Sequence, residues 1–250
     1  MTADHRSTAA VSRDEAIYYH NDVFGSRILV RILSPFLTGR VLEVGAGAGF
    51  VTTELASHCR EVVAIEPTNE LFVELQERTK ALSNVTLVHS VLNDYVKAQS
   101  DKSHVVAATF DTIVYINVLE HIEADRDELS IAKSLLSPDG KILIVVPAHQ
   151  WLYAKVDQLT GHFRRYSKRG LRGVIDEAHL SVQSLRYFDA IGLLPYLLMY
   201  KWLRSTATAG TNAVVYSRLI MPISYFLYRL TQGRLIGKNL IAVAKVPQIS

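Results

Sequence analysis

The stretch at residues 41–50, Val-Leu-Glu-Val-Gly-Ala-Gly-Ala-Gly-Phe, restricts the possible folds of this chain more than any other feature. Its apolar first half predicts a buried strand, and its glycines predict a tight turn that exposes bare backbone to a ligand. Helix-forming residues follow at 52–56, so a bound ligand would lie where a strand ends and a helix begins. Any parallel-sheet protein needs tight turns of this kind, so the neighbouring side chains must identify the ligand.

Two side chains beside the turn argue against a phosphate-containing ligand. The dinucleotide fingerprint Gly-x-Gly-x-x-Gly requires glycine at its sixth position, where this chain has the bulky Phe50. Glu43 precedes Gly45 by two residues, and its carboxylate would repel a phosphate but attract an ammonium group. The turn therefore favours a cationic nucleoside without phosphate, and S-adenosylmethionine fits that description.

Strand-like and helix-like segments alternate along the chain, which predicts an α/β fold with a mainly parallel sheet and helices on both faces. The predicted strands are residues 40–44, 62–66, 85–89, 109–116, 141–146, 181–187 and 239–246. The predicted helices are residues 51–58, 69–82, 125–136 and 168–178, with a turn at 137–140.

Bulk composition narrows the class of protein. The 250 residues predict a single domain, and the net charge of +3 gives little support to a nucleic-acid binder. The lone cysteine, Cys59, excludes an internal disulfide. Residues 1–15 are polar and lack the apolar segment of a signal peptide, so we expect a cytoplasmic protein.

The domain divides into three parts by composition. We predict an N-terminal helical cap at residues 1–38, a core sheet at 39–187 and 238–247, and an apolar helical insertion at 188–237 that covers the carboxyl ends of the strands. The apolar stretches 190–203 and 214–228 are interrupted by proline and basic residues. We therefore expect them to dock at an interface rather than to span a membrane.

Glu66 ends the second predicted strand, about twenty residues beyond the glycine turn. In a doubly wound sheet, an acid at that position reaches the ribose hydroxyls of a bound nucleoside. A surface acid that starts the next helix is the alternative interpretation, because Pro67 and Thr68 follow.

Four motifs together resemble the class I S-adenosylmethionine-dependent methyltransferases, and they occur in that family's order and spacing. They are the glycine turn at 41–50, Ala-Ile-Glu-Pro at 64–67, Phe-Asp-Thr-Ile-Val-Tyr-Ile-Asn-Val-Leu-Glu-His-Ile at 110–122 and Leu-Ser-Pro-Asp-Gly-Lys-Ile-Leu-Ile-Val-Val-Pro at 136–147. Residues 151–166, which end in Gly-His-Phe-Arg-Arg-Tyr, resemble a narrower bacterial subgroup of small-molecule methyltransferases (type 11/12-like).

The resemblance implies a Rossmann-like, doubly wound sheet of seven strands, with the last strand antiparallel. It also implies S-adenosylmethionine as cofactor, S-adenosylhomocysteine as product and no metal ligands. In many relatives a carboxylate after the third strand binds the adenine amino group. Ser-Val-Leu at 90–92 offers no carboxylate, so we expect the backbone at Val91 or the side chain of Asp94 to take its place. The implied cofactor-binding residues are Glu43, Gly45, Ala46, Gly47, Glu66, Pro67, Val91, Asn117 and Val118.

Methyl transfer from a sulfonium needs alignment and exclusion of water, and a base only when the acceptor must lose a proton. His149, just after the fifth strand, is the first candidate for that base or for a group that orients the acceptor. His121 is expected to position the start of a helix and not to transfer protons. The other catalytic candidates are Tyr153, Asp157 and His162 in the same loop, with Tyr18, Tyr19 and His20 near the N-terminus.

These features predict an enzyme that methylates a small, apolar or aromatic acceptor in biosynthetic or specialised metabolism. A peripheral-membrane enzyme acting on a lipid, quinone or prenylated acceptor is the alternative, because of the two apolar stretches. A nucleic-acid methyltransferase is disfavoured, since Asn117 is followed by Val-Leu and not by Pro-Pro and an aromatic residue. A binding protein that retains only a nucleoside pocket stays a third possibility.

Overall fold

The apolar segments form one sheet of seven strands in a computed structural model that describes residues 23–103 (side chains to residue 99), 110–203 and 216–247. The strands are β1 (Arg40–Val44), β2 (Glu61–Ile65), β3 (Val85–Val88), β4 (Phe110–Ile116), β5 (Leu136–Pro147), β6 (Ser181–Phe188) and β7 (Asn239–Lys245). Their order is β3-β2-β1-β4-β5-β7-β6, and only β7 runs antiparallel to its neighbours. The predicted Rossmann-like, doubly wound fold is confirmed.

Helices connect the parallel strands. They are α1 (Val23–Leu33), α2 (Phe50–Ala56), α3 (Asn69–Thr79), α4 (Leu92–Ser103), α5 (Asp125–Ser134), α6 (Lys155–Leu159), α7 (Lys168–Glu177), α8 (Leu193–Tyr196) and α9 (Met221–Thr231). Short 3₁₀ turns lie at Ser34–Phe36, Leu119–His121 and Gln150–Leu152, and π-helical turns at Leu197–Trp202 and Tyr216–Ile220.

Alternating side chains give the sheet two buried faces. Leu42, Ile113 and Ile144 belong to one apolar cluster, whereas their chain neighbours Val41 and Val114 belong to the other. Because successive side chains of a strand point to opposite faces, helices must cover both sides to bury these strands. The near-continuous apolar composition of β1, β4 and β5 follows from this double burial.

One local prediction is wrong, and one helix was missed. The proline–glycine segment 137–140 does not separate α5 from β5 but lies inside β5. In the pairing of β4 with β5, Phe110 lies opposite Leu136 and Thr112 opposite Lys141, so the extra residues of β5 between these pairs form a bulge. Helix α4 was not predicted, because its polar sequence lacks an apolar stripe.

The N-terminal and inserted segments share one face of the sheet. Helix α1 contributes Val30 and Leu33, and helix α9 contributes Met221, to the same buried cluster. The first part of the insertion instead packs Tyr196 on Leu152 and Val156, close to the carboxyl end of β5. Within the described residues, no helix combines the length and apolar character required to cross a bilayer. The division into cap, core and insertion stays an interpretation.

Candidate functional site

The glycine turn after β1 adopts a backbone that requires glycine. Gly45, Gly47 and Gly49 have φ values of +71°, +55° and +84°, in the left-handed region. The N–H groups of Gly45 and Ala46 both donate to the Ile65 carbonyl at 2.9 Å, which ties the turn to the end of β2. The turn therefore brings bare backbone to the carboxyl edge between neighbouring strands, as the sequence predicted.

Glu66 lies at the end of β2 and faces this turn. Its Oε2 accepts a hydrogen bond from the Gly47 N–H at 2.8 Å, and its Oε1 accepts one from the Thr68 N–H at 2.8 Å. Burial raises the pKa of Glu66, and these two hydrogen bonds oppose the rise. Since each carboxylate oxygen can accept a second hydrogen bond, Glu66 is able to hold two adjacent hydroxyl groups.

Glu43 is a second buried carboxyl group, on β1 just before the turn. The Thr52 hydroxyl donates to its Oε2 at 2.6 Å. Burial raises the pKa of Glu43 to about 8; the Thr52 hydrogen bond opposes this rise and the charge on Glu66 adds to it. A cation placed beside Glu43 would reverse the rise, because it favours the ionised carboxylate.

The end of β4 forms the other wall of the crevice. Asn117 has a φ of +52° and its N–H donates to the Val145 carbonyl at 2.8 Å, so the chain turns sharply there. Val118 follows, and its side chain packs over Gly45, where an added Cβ would lie 2.6 Å from Val118 Cγ2. The structure thus brings together the two segments expected to hold the methyl donor.

The segment after β3 offers polar groups near Glu66. His89 stacks on Phe72 with ring centroids 4.7 Å apart, and its Nε2 donates to the Pro67 carbonyl at 3.0 Å. The Val91 carbonyl accepts from the Tyr95 N–H, within the first turn of α4. The exposed Asp94 pairs with Lys97 at 3.3 Å. The role of Val91 or Asp94 toward an adenine stays a prediction.

His149 lies after β5 in a constrained position. Its φ is +66°, its Nε2 donates to the Gly237 carbonyl at 3.0 Å, and its ring stacks on Tyr187 with centroids 5.1 Å apart. Burial lowers the pKa of His149, while the hydrogen bond to Gly237 opposes this effect. The imidazole is therefore neutral at physiological pH, which is the form that a general base requires.

Tyr153, Asp157 and His162 meet in a separate buried cluster. The Tyr153 hydroxyl donates to the His162 carbonyl at 2.6 Å, and His162 Nδ1 donates to Asp157 Oδ1 at 3.0 Å. Arg165 Nε donates to the same Asp157 oxygen at 2.8 Å, and the Tyr196 hydroxyl to Oδ2 at 3.0 Å. Although burial alone would raise it, the pKa of Asp157 falls to about 2 because of these donors. Because Asp157 accepts hydrogen bonds from His162, Arg165 and Tyr196, it holds these three side chains in position.

The sequence did not identify the residues that support these candidates. Thr52 and Thr68 carry no motif signal of their own, and the sequence showed Arg165 only as part of the Gly-His-Phe-Arg-Arg-Tyr run. In the structure, Arg165 and Arg164 are paired with Asp157 and Asp125 at 2.8 and 2.9 Å, so neither belongs to an open basic surface. Tyr18, Tyr19 and His20 lie outside the described residues.

Taken together, the crevice fits a cationic nucleoside. It offers two buried carboxyl groups, a glycine turn that exposes backbone N–H groups, and an apolar wall at Val118. The strand order reverses between β1 and β4, which is the place where open α/β sheets bind their ligands.

Comparison with known proteins gives a family and a fold. Residues 19–189 match a family model described as a methyltransferase domain. The chain is 24% identical over 161 residues to the ubiquinone biosynthesis O-methyltransferase of Actinobacillus pleuropneumoniae, covering 59% of this chain and 68% of that protein. It is 37% identical over 60 residues to the probable dimethyladenosine transferase of Dictyostelium discoideum, covering 24% of this chain and only 19% of that protein.

A solved structure shows the same fold over most of the chain. The SAM-dependent methyltransferase from Archaeoglobus fulgidus superimposes with a TM-score of 0.58 at 16% identity, covering 90% of this chain and 94% of that one. Since the curated relatives are matched over 18% to 68% of their own lengths, their substrates are not transferred with the family.

Proposed function

Because the chain belongs to the class I S-adenosylmethionine-dependent methyltransferases, we propose that it methylates a small, apolar or aromatic acceptor in biosynthetic or specialised metabolism. The observation that carries the cofactor part is the convergence of Glu43 and Glu66 on the glycine turn, with Glu66 bonded to the Gly47 N–H at 2.8 Å. When bound, S-adenosylmethionine supplies a methyl group that is already activated for transfer. The protein's task is then to bind, align and exclude water.

Each proposed cofactor contact has a physical basis. Glu66 accepts hydrogen bonds from the ribose hydroxyls, and Glu43 draws the cationic methionine end toward the turn at Gly45 and Gly47. Val118 excludes water from the side of the sulfonium, since its side chain covers the turn. Asn117 precedes Val118, and its partly buried amide is proposed to lie on the same side of the cofactor.

The acceptor is proposed to lie over the loop after β5. Trp151 is 53% exposed and lies beside His149, with ring centroids 5.4 Å apart. His149 would take the proton of a hydroxyl or amine acceptor, because its imidazole is neutral. The tyrosines of the insertion give only partial support to an aromatic acceptor at this place, because Tyr196 is buried and the Tyr216 hydroxyl donates a hydrogen bond to Asp189.

Calorimetry tests the proposed function directly. We expect micromolar or tighter binding of S-adenosylmethionine and no comparable binding of NADH, because the Glu66 carboxylate repels a phosphate and only a cation favours the ionised Glu43. Turnover with phenolic and quinol acceptors, followed by S-adenosylhomocysteine formation, then tests the acceptor class. Tight binding of NADH together with no heat from S-adenosylmethionine would contradict the cofactor assignment.

One observation favours the alternative of a membrane-bound acceptor. Leu219, Ile223, Phe226 and Leu230 have a spacing of four, three and four residues, which places them on one helix face, and all are at least half exposed. The first part of the insertion adds Trp202, which is 83% exposed. From residue 190 to the C-terminus the sequence contains no Asp or Glu.

An apolar helix face on a segment whose charged side chains are all basic matches the surface of an anionic bilayer. A second copy of the chain matches it less well, since two such faces would bring like charges together. Sedimentation with vesicles distinguishes these occupants. Anionic vesicles should retain the protein and neutral vesicles should retain much less.

The double variant Phe226→Ser, Leu230→Ser should abolish retention by anionic vesicles. The control is Val73→Ser, which removes an exposed apolar side chain on α3. Unchanged retention of the double variant, or dimerisation without any retention, would contradict the membrane alternative.

A further inference from the structure

Glu120 is a fully buried carboxyl group directly after β4. It lies in the 3₁₀ turn Leu119–His121, and its side chain is 1% exposed. Among the described residues, neither Oε1 nor Oε2 of Glu120 has a hydrogen-bond partner. A buried carboxyl group costs several kcal/mol unless a hydrogen bond, a charge or a metal compensates it (about 2–7 kcal/mol for a polar group), so these two oxygens are suited to hold a ligand.

Two imidazoles lie against this carboxyl group. His121 is its chain neighbour, and His162 comes from the loop after α6. His162 Nε2 is 4.0 Å from Glu120 Oε1, and the two histidine rings meet edge to face with centroids 4.6 Å apart. One ligand-type atom of each residue lies within 4.8 Å of the other two.

The orientation of the His162 ring is fixed by a hydrogen bond at its Nδ1. Its Nδ1 donates to Asp157 Oδ1 at 3.0 Å, and its Nε2 lies 4.0 Å from Glu120 Oε1; in the neutral imidazole this Nε2 carries the lone pair that a metal ion requires. Asp157 is itself held by Arg165 and Tyr196. A carboxylate that fixes the tautomer of a histidine in this way is the usual outer support of a metal-binding imidazole.

We propose that Glu120, His121 and His162 bind a divalent transition metal ion, with Zn²⁺ as the best match. Two imidazoles and one carboxylate are ligands that Zn²⁺ and neighbouring transition metals prefer, whereas Mg²⁺ and Ca²⁺ prefer oxygen alone. Three protein ligands leave a fourth position open. The three ligand-type atoms lie within 4.8 Å of one another, and a bound metal would draw them to metal–ligand distances of about 2.0–2.2 Å.

The position of this site in the fold indicates what a bound metal ion would do. Glu120 and His121 follow Asn117 and Val118 on the segment that leaves β4, so the proposed metal site belongs to the same segment as two of the residues proposed to hold the methyl donor. A metal there would orient an oxygen or nitrogen atom of the acceptor and favour its deprotonated form. Metal binding itself does not depend on the proposed acceptor.

Calorimetry with ZnCl₂ tests the proposal. The untagged full chain, stripped with EDTA and dialysed into a non-chelating buffer, should bind one Zn²⁺ per chain. Glu120→Gln and His162→Ala should each weaken this binding by at least about 100-fold, and Asp157→Asn by about 10–100-fold. The matched control is His58→Ala, which removes an exposed histidine and should leave the affinity unchanged.

Two further measurements keep the test decisive if a buried variant fails to fold. His121→Ala removes a partly buried side chain and should also lose the site while keeping the wild-type circular dichroism spectrum. X-ray absorption of the Zn²⁺-loaded protein should show two imidazole ligands. No stoichiometric binding by the wild type, or the same affinity in Glu120→Gln, His121→Ala and His58→Ala, would overturn the proposal.

Discussion

At the scale of single residues, the proposed cofactor site depends on two buried carboxyl groups in different hydrogen-bonding states. Glu66 is stabilised as a carboxylate by two backbone N–H groups, whereas the one hydrogen bond that Glu43 accepts from the described residues comes from the Thr52 hydroxyl. Glu66 is therefore suited to accept hydrogen bonds, and Glu43 to respond to the charge of a ligand. The sequence predicted both acids but not this difference, because Thr52 and the Gly47 N–H approach them only in the folded chain.

We expect Glu66→Ala to weaken S-adenosylmethionine binding by about 10–100-fold, since hydrogen bonds to a charged group contribute about 1.5–3 kcal/mol. The measurement is isothermal titration. Glu70→Ala, which removes an exposed acid at the start of α3, is the control and should bind normally. Equal affinities of the two variants would remove Glu66 from the site.

We expect His149→Asn to lower kcat by about 100-fold or more with little change in cofactor affinity, because general acid–base catalysis contributes about 10²–10⁴-fold. Asparagine tolerates the positive φ of this position, so the backbone is spared. His179→Asn changes another histidine of positive φ, in an exposed loop, and serves as the control. A wild-type kcat in His149→Asn would exclude His149 as the base.

At the scale of elements, the loops at the carboxyl ends of the strands are built by contacts between distant segments. The turn after β1 is closed by Val118 from β4, and the loop after β5 is held by Arg165, Tyr166 and the insertion. Tertiary contacts rather than local propensity therefore set the shape of the crevice.

We expect Gly45→Ala to destabilise the protein by about 1–3 kcal/mol, because its φ is +71° and the new Cβ would lie 2.6 Å from Val118 Cγ2. Gly173→Ala is the matched control: it lies in α7 with nothing within 4 Å of its Cβ position, and should stabilise by about 0.4–1 kcal/mol. Urea unfolding measures both changes. Equal stability of the two variants would refute the proposed strain at Gly45.

At the scale of the whole molecule, buried acids make the stability of the ligand-free protein depend on pH. The pKa of Glu43 is raised from 4.5 to about 8 in the folded chain, so the native state binds a proton that the unfolded state has released. Stability contributed in this way is present below pH 4.5 and is lost as the pH rises toward 8.

We therefore expect the free energy of unfolding of the ligand-free, EDTA-treated protein to fall between pH 6.5 and pH 8, as measured by urea unfolding. Glu43→Gln should reduce this slope, because glutamine does not titrate. Saturating S-adenosylmethionine should also reduce it, since a bound cation favours the ionised Glu43. A slope that is the same in wild type and Glu43→Gln would show that Glu43 is not the responsible group.

The sequence by itself determined the sheet, its parallel strands and the ligand-binding edge, because apolar runs, the glycine turn and Glu66 are local signals with a fixed geometric meaning. It did not determine the bulge at 137–140, since the pairing partner Phe110 lies far away along the chain. Nor could it determine that Asp157, Arg165 and Tyr196 form one buried cluster, or that His162 meets Glu120, because residues from three separate segments converge there. Only the tertiary structure decides such meetings, since burial and hydrogen bonding depend on which segments the fold brings together.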